Sequence, residues 1–183
     1  LTPPRASASS NETTFVNRSL SSAPVWRVAI LPIPTRRLAS SETSEMNHDF
    51  IRAFVAANPT VMVTDEAVSA QALSDASLAE RYDAFLRGYT ITGIPNPQLL
   101  ADIGRALHVD AIIQGEVIEI IQRHELLDVQ SGETLVTIRY RMTDTRTASI
   151  LWEGTGHASA GKRELVRRVP PLPELIAAAE QEV

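Results

Sequence analysis

Arg81–Ile120 reads RYDAFLRGYTITGIPNPQLLADIGRALHVDAIIQGEVIEI, and Glu133–Gly154 reads ETLVTIRYRMTDTRTASILWEG. Within the first stretch, Asn96-Pro97 places an amide cap before a proline at the first helical position. Leu100, Ile103 and Leu107 then recur at helical spacing. From Asp110 to about Ile121 that period disappears, and the run AIIQGEVIEI has the length and β-branched content of a long strand. In the second stretch Val136, Ile138, Tyr140 and Met142 alternate with Leu135, Thr137, Arg139 and Arg141, the period of two of a sheet with one face packed and one wetter. Asp144–Ala148 is a turn into a last strand at Ser149–Glu153.

Upstream, Val25–Pro32 is a nearly continuous apolar run suited to a strand buried on both faces. A helix is expected from Ser44, as N-cap, to Ala57, with Met46, Phe50, Phe54 and Ala57 on one side and Asn58-Pro59 ending it. Thr60–Thr64 is a short strand. Ser77-Leu78-Ala79-Glu80 fits a capping box that opens a second helix, to Arg87, with Leu78, Tyr82, Phe85 and Leu86 as its stripe. Past the last strand, 162–169 reads as a short helical turn, and a final helix starts at Pro173. The order β-α-β-α-α-β-β-β-α predicts an α/β fold. Its sheet is mixed and five-stranded: two parallel β-α units plus an antiparallel three-strand meander, packed with helices.

Half of residues 1–24 are Ser, Thr or Pro. Apolar residues are too sparse there to offset chain ordering, so the stretch is expected to be a flexible linker before one domain spanning 25–183. The 183 residues suffice for one core, and the hydrophobic (44%) and charged (21%) fractions are those of an ordinary globular chain. A net charge of −5 argues against nucleic acid as a partner. No apolar run approaches the ~20 residues of a membrane helix.

The chain has no cysteine, which removes disulfides, thiolate catalysis and cysteine zinc sites. His48, His108, His124 and His157 show no metal-ligand spacing, and His108 sits at a helix C-terminus where the dipole suits an imidazolium. Neither phosphate-binding glycine pattern occurs, nor a nucleophile elbow. The reading is therefore of no catalytic residue, no cofactor and no metal. Glu116 and Glu119 on the long strand, with Arg139 and Arg141 on its neighbour, form either a cross-strand ion-pair ladder or a charged strip for docking a partner protein. Arg163, Arg167 and Arg168, with Lys162, are the basic cluster, and Leu175 and Ile176 are the apolar stripe of the expected final helix; these too are candidates for partner docking.

RVAILP (Arg27–Pro32), LLADIGRALHVDAIIQGEV and VTIRYRMTDTRTASILWE, in that order and spacing, resemble the curli-secretion lipoprotein (CsgG-like) superfamily, akin to the TolB N-terminal domain and including penicillin-binding-protein activator lipoproteins. The resemblance covers about residues 25–158. It implies an envelope protein in the periplasm, tethered to the outer membrane through a lipid anchor upstream of Leu1, that binds other envelope proteins and copies of itself. His108-Val109 stands where the family commonly has Gly-Ala, and Ala148-Ser149 where it has Gly-Glu. The segment Gln122–Gly132 is too short and polar for the membrane hairpins of the curli channel, so no pore is expected. The resulting expectation is a non-enzymatic scaffold or accessory subunit of a secretion, flagellar or surface-fibre assembly. Two alternatives stand beside it: a lipoprotein activator of a peptidoglycan synthase, and a small-molecule-binding or enzymatic domain with its site at the carboxyl ends of the parallel strands.

Overall fold

A computed structural model describes residues 12–16, 27–34, 38, 40–124 and 132–160. In chain order the elements are β1 (Glu12–Val16), β2 (Arg27–Leu31), α1 (Ser40–Ala57), β3 (Met62–Thr64), α2 (Glu66–Asp75), α3 (Ala79–Thr92), α4 (Pro97–Leu107), β4 (Ala111–His124), β5 (Gly132–Asp144) and β6 (Ile150–Ala160). The strands form one sheet in the order β1-β6-β5-β4-β2-β3. β2 pairs in parallel with both β3 and β4, whereas β4, β5 and β6 form an antiparallel meander. The mixed α/β sheet expected from the sequence is thus present with all five of its strands.

A sixth strand joins at the edge. The sequence predicts a linker throughout residues 1–24, and Glu12–Val16 corrects that expectation by pairing antiparallel with β6, Glu12 opposite Thr155 and Val16 opposite Trp152. An edge strand is held by backbone hydrogen bonds along one side. It can therefore form from a Thr-rich segment too poor in apolar residues to register as core.

Helices cover both faces. On one, Phe50 and Phe54 of α1 pack on Val28, Ile30, Ile113, Val136, Ile138, Tyr140 and Met142. Phe50 stacks on Tyr140 with ring centroids 3.9 Å apart. On the other, α2, α3 and α4 bury Leu73, Leu78, Tyr82, Leu86, Leu99 and Ile103 against Ala29, Leu31 and Ile112. This two-sided cover is why β2 is apolar at successive positions rather than alternate ones.

Three local expectations are corrected. The first helix begins at Ser40, so Ser44 lies inside it, and its hydroxyl donates to Glu66 Oε1 at 3.2 Å. Between the short strand ending at Thr64 and the helix expected from Ser77 the sequence reading places no element, and Glu66–Asp75 there is helix α2, capped by Asp65, whose carboxylate accepts from Val68 N at 2.9 Å. The capping box at Ser77 does not form: Leu78 is the α3 N-cap, with no side-chain cap bond. Ser77 instead has φ +57 and closes α2, with Ser77 N donating to Ser74 O and Leu78 N to Leu73 O. That is the Schellman arrangement, and its hydrophobic partners Leu73 and Leu78 are both buried. The expected helical turn at 162–169 and the helix from Pro173 lie outside the described residues.

Candidate docking surface

The face of β5 opposite the α1 core carries Thr137, Arg139 and Arg141, because Val136, Ile138, Tyr140 and Met142 take the buried positions of the alternation. Register places Glu116 opposite Arg139, and Gln114 opposite Arg141. On its other side Arg141 faces Glu153 of β6, and this is where its ion pair forms, with Nε to Oε2 at 2.7 Å and both side chains about one-fifth exposed. The Arg141 guanidinium also lies over the Tyr89 ring, 5.3 Å from its centroid. The Glu–Arg ladder across β4 and β5 is therefore replaced, at Arg141, by a bond across β5 and β6.

Glu119 stands opposite Thr137, because a register shift between Val117 and Glu119 makes Ile118 an extra residue in β4. The bulge keeps Val117 and Ile120 both on the core side. It leaves Glu119 and Glu116 on the same charged face.

Tyr89, Gln114, Glu116, Arg139 and Arg141 together line a small cleft at the C-terminal end of α3. Two and five residues beyond Tyr89, Ile91 is 85% exposed and Ile94 69% exposed. Sequence reasoning missed these three residues. The signal available is the run GYTITGIP, in which Ile91 falls off the Leu78–Tyr82–Leu86 stripe of α3 and Ile94 lies past the helix end. Of the other candidates, Arg163, Arg167, Arg168, Leu175 and Ile176 lie outside the described residues.

A second polar group sits at the carboxyl end of β2. Asn47, fully buried on α1, donates through Nδ2 to Leu31 O at 3.2 Å and to Glu66 Oε2 at 2.7 Å. With Ser44 on Glu66 Oε1, these bonds tie α1 to the first turn of α2, where a carboxylate also suits the helix dipole. The Tyr140 phenol is pushed up from its usual range by burial and, second, by the Glu66 charge. Asn47 Nδ2, Ser44 and Glu66 are engaged in holding the helices to the sheet, whereas Asn47 Oδ1 and the Tyr140 hydroxyl are buried without a hydrogen-bond partner among the described residues. Among the described residues no group of three or more His, Asp or Glu side chains is arranged to hold a metal. No described helix is long and apolar enough to cross a membrane.

No family model matches the chain, and no curated protein matches it. Solved structures do resemble it. The lipoprotein GNA1162 from Neisseria meningitidis superposes with a TM-score of 0.52 at 16% identity, over 85% of this chain and 96% of that one. The PelC dodecamer from Paraburkholderia phytofirmans gives 0.42 at 14% identity, over 93% and 96%. The LpoB C-terminal domain from Escherichia coli gives 0.41 at 11%, over 73% and 82%. What the chain shares with the Neisseria lipoprotein at this level of identity is its fold.

Proposed function

We propose that this protein is a non-enzymatic accessory subunit or scaffold of a bacterial cell-envelope assembly, of the CsgG-like kind, held at the periplasmic side of the outer membrane and acting by docking other envelope proteins. The observation that carries the reading is the exposure of two large apolar side chains, Ile91 and Ile94, at the end of the helix whose Tyr89 lines the charged cleft of Glu116, Arg139 and Arg141. Apolar anchors beside charges that set orientation are how a protein surface gains both affinity and selectivity for another protein. The fold shared with a Neisseria lipoprotein supports the envelope setting. Activation of a peptidoglycan synthase is one form such docking takes.

The test compares three versions of the full-length protein as bait in envelope extracts: the wild type, Ile91→Ser/Ile94→Ser, and Glu116→Lys/Arg139→Glu. All four positions are at the surface or half-buried, so folding is expected to be retained and is checked by circular dichroism. A partner bound by the wild type and lost with both variants supports the reading. The same proteins recovered in equal amounts by all three baits overturns it.

A further inference from the structure

The two neighbours of β4 in the sheet differ in length. β5 pairs with it along its whole course, from Ala111 opposite Asp144 to His124 opposite Gly132. β2 pairs with it only from Ala111 to Gln114. Just past β2, the Ile33 side chain still lies over Gly115, 2.8 Å from where a Cβ would stand. From Glu116 to His124 no described strand pairs with that side of β4, which leaves a free edge roughly 30 Å long. Unpaired backbone groups along such an edge are a template for one more strand. The edge is open to solvent at the bulge, where Ile118 is 39% exposed and Glu119 is exposed.

We propose that this free edge of β4 accepts an extended segment of a partner protein in which basic side chains alternate with apolar ones. The side chains along the edge fall in two rows, Val117 and Ile120 on the α1 side and Glu116 and Glu119 on the charged side. Neither carboxylate has an ion pair among the described residues: Arg139 stands opposite Glu116 without bonding it, and Glu119 faces Thr137. Across the bulge the two glutamates face residues two apart on β5, so a strand of ordinary alternation can match both. In a strand laid beside β4, one set of side chains falls next to the glutamates, where a cation is favoured, and the other next to Val117 and Ile120, where an apolar group is. The backbone ladder supplies affinity and the two rows supply the choice of sequence. The bulge bends the edge, which disfavours a flat strand of arbitrary sequence and leaves selection to the side chains. The inference rests on the docking reading above and gives the chemistry of the docked segment.

The probe is a fluorescent peptide alternating lysine and valine over the length of this edge, titrated with the full chain and followed by anisotropy. Two peptides are compared with it: one of the same composition with its lysines and valines in separate blocks, and one of the same sequence N-methylated along its backbone, which keeps every side chain and removes every backbone donor. The alternating peptide is expected to bind saturably, and each comparison peptide to bind at least about tenfold more weakly. Glu116→Gln/Glu119→Gln is expected to weaken the alternating peptide roughly three- to tenfold. Equal binding of the N-methylated peptide, which charge attraction alone would give, overturns the proposal. So does the absence of saturable binding by the alternating peptide, or an affinity unchanged in the folded variant. Should the variant not fold, the three peptides on the wild type decide. The extract experiment above reads docking through Ile91 and Ile94, whereas the peptide needs no cellular partner, so either result can fail while the other stands.

Discussion

Gly104 of α4 and Thr145 of the β5–β6 turn are in van der Waals contact at a point where no side chain fits between them: a Cβ on Gly104 would stand 2.5 Å from Thr145 Oγ1 and 2.6 Å from its Cβ. Thr145 cannot swing away. It is 2% exposed, and its hydroxyl donates to Asp110 O at 2.9 Å, with Val109 O at 3.2 Å. Gly104→Ala is accordingly expected to cost about 1–3 kcal/mol, the range for overpacking a site that cannot relax. Urea denaturation with an unchanged slope checks this, and a loss below about 0.5 kcal/mol would show that the turn moves freely.

His108 and Ala148, both at points where the sequence departs from the pattern it resembles, occupy the left-handed region, with φ +54 and φ +58. The conformation costs a non-glycine residue about 1–2 kcal/mol, and glycine gives part of that back as unfolded-state entropy. His108 is exposed, so His108→Gly is expected to stabilise by roughly 0.5–1 kcal/mol. Ala148 is 8% exposed within the second core, so Ala148→Gly also loses a buried methyl worth ~0.8 kcal/mol and is expected to be neutral. Melting temperatures of the two variants should separate accordingly.

Asp102 joins α4 to α3 by accepting from Arg81 at 3.1 Å, with Gln98 and Arg105 on its other oxygen. Desolvation pushes its carboxyl up. The hydrogen bonds from Arg81 and Gln98 and the two arginine charges outweigh that and hold it below the usual carboxylate range. A carboxyl lowered by folding stabilises the fold at pH above its unfolded value of about 3.9 and loses that contribution as pH falls through the folded one. Asp102→Asn should therefore be less stable than wild type at pH 7, with the gap closing below pH ~4. A gap that does not narrow at all as pH falls below ~4 would assign the effect to packing.

Tyr82 and Tyr140 have buried hydroxyls without a hydrogen-bond partner among the described residues, and both phenols are pushed well above their usual range, first by burial. A raised phenol contributes stability below the unfolded value of about 10 that is lost as pH rises beyond it. Their phenolate absorbance is expected only together with unfolding, whereas Phe at either position should be neutral or stabilising, since it removes an unpaired buried hydroxyl. A Tyr82→Phe or Tyr140→Phe variant less stable by more than about 1 kcal/mol would reveal a bond to that hydroxyl.

The long periodic elements are legible in the sequence. The Asn96 cap, the Pro97 start and the alternation through Tyr140 each state one geometry. α2 is not legible because EAVSAQALSD buries only Ser69 and Leu73, too little apolar signal to show a stripe, although Asp65 is present as its cap. Ser77 reads ambiguously because the same residue types favour helix starts and left-handed turns, and only the position of Leu78 against Leu73 separates the two. Of the docking surface, alternation alone puts Arg139 and Arg141 on one face of β5, but it does not show the bulge that sets Glu119 opposite Thr137. The bond from Arg141 to Glu153, and the placing of Tyr89 beside Arg141, depend on which elements meet in space, and local periodicity carries no such information.

The ladder from Glu12 to Thr155 spans nearly the whole chain, and Arg27 meets Asp110 across 83 residues, whereas β4, β5 and β6 are joined by short connections. Loop-closure entropy orders these events in time. The meander can condense as soon as it leaves the ribosome, and β2 follows once α1 to α4 have brought β4 beside it. β1, synthesised before every other strand of this sheet, must wait, unpaired, until residue 155 exists.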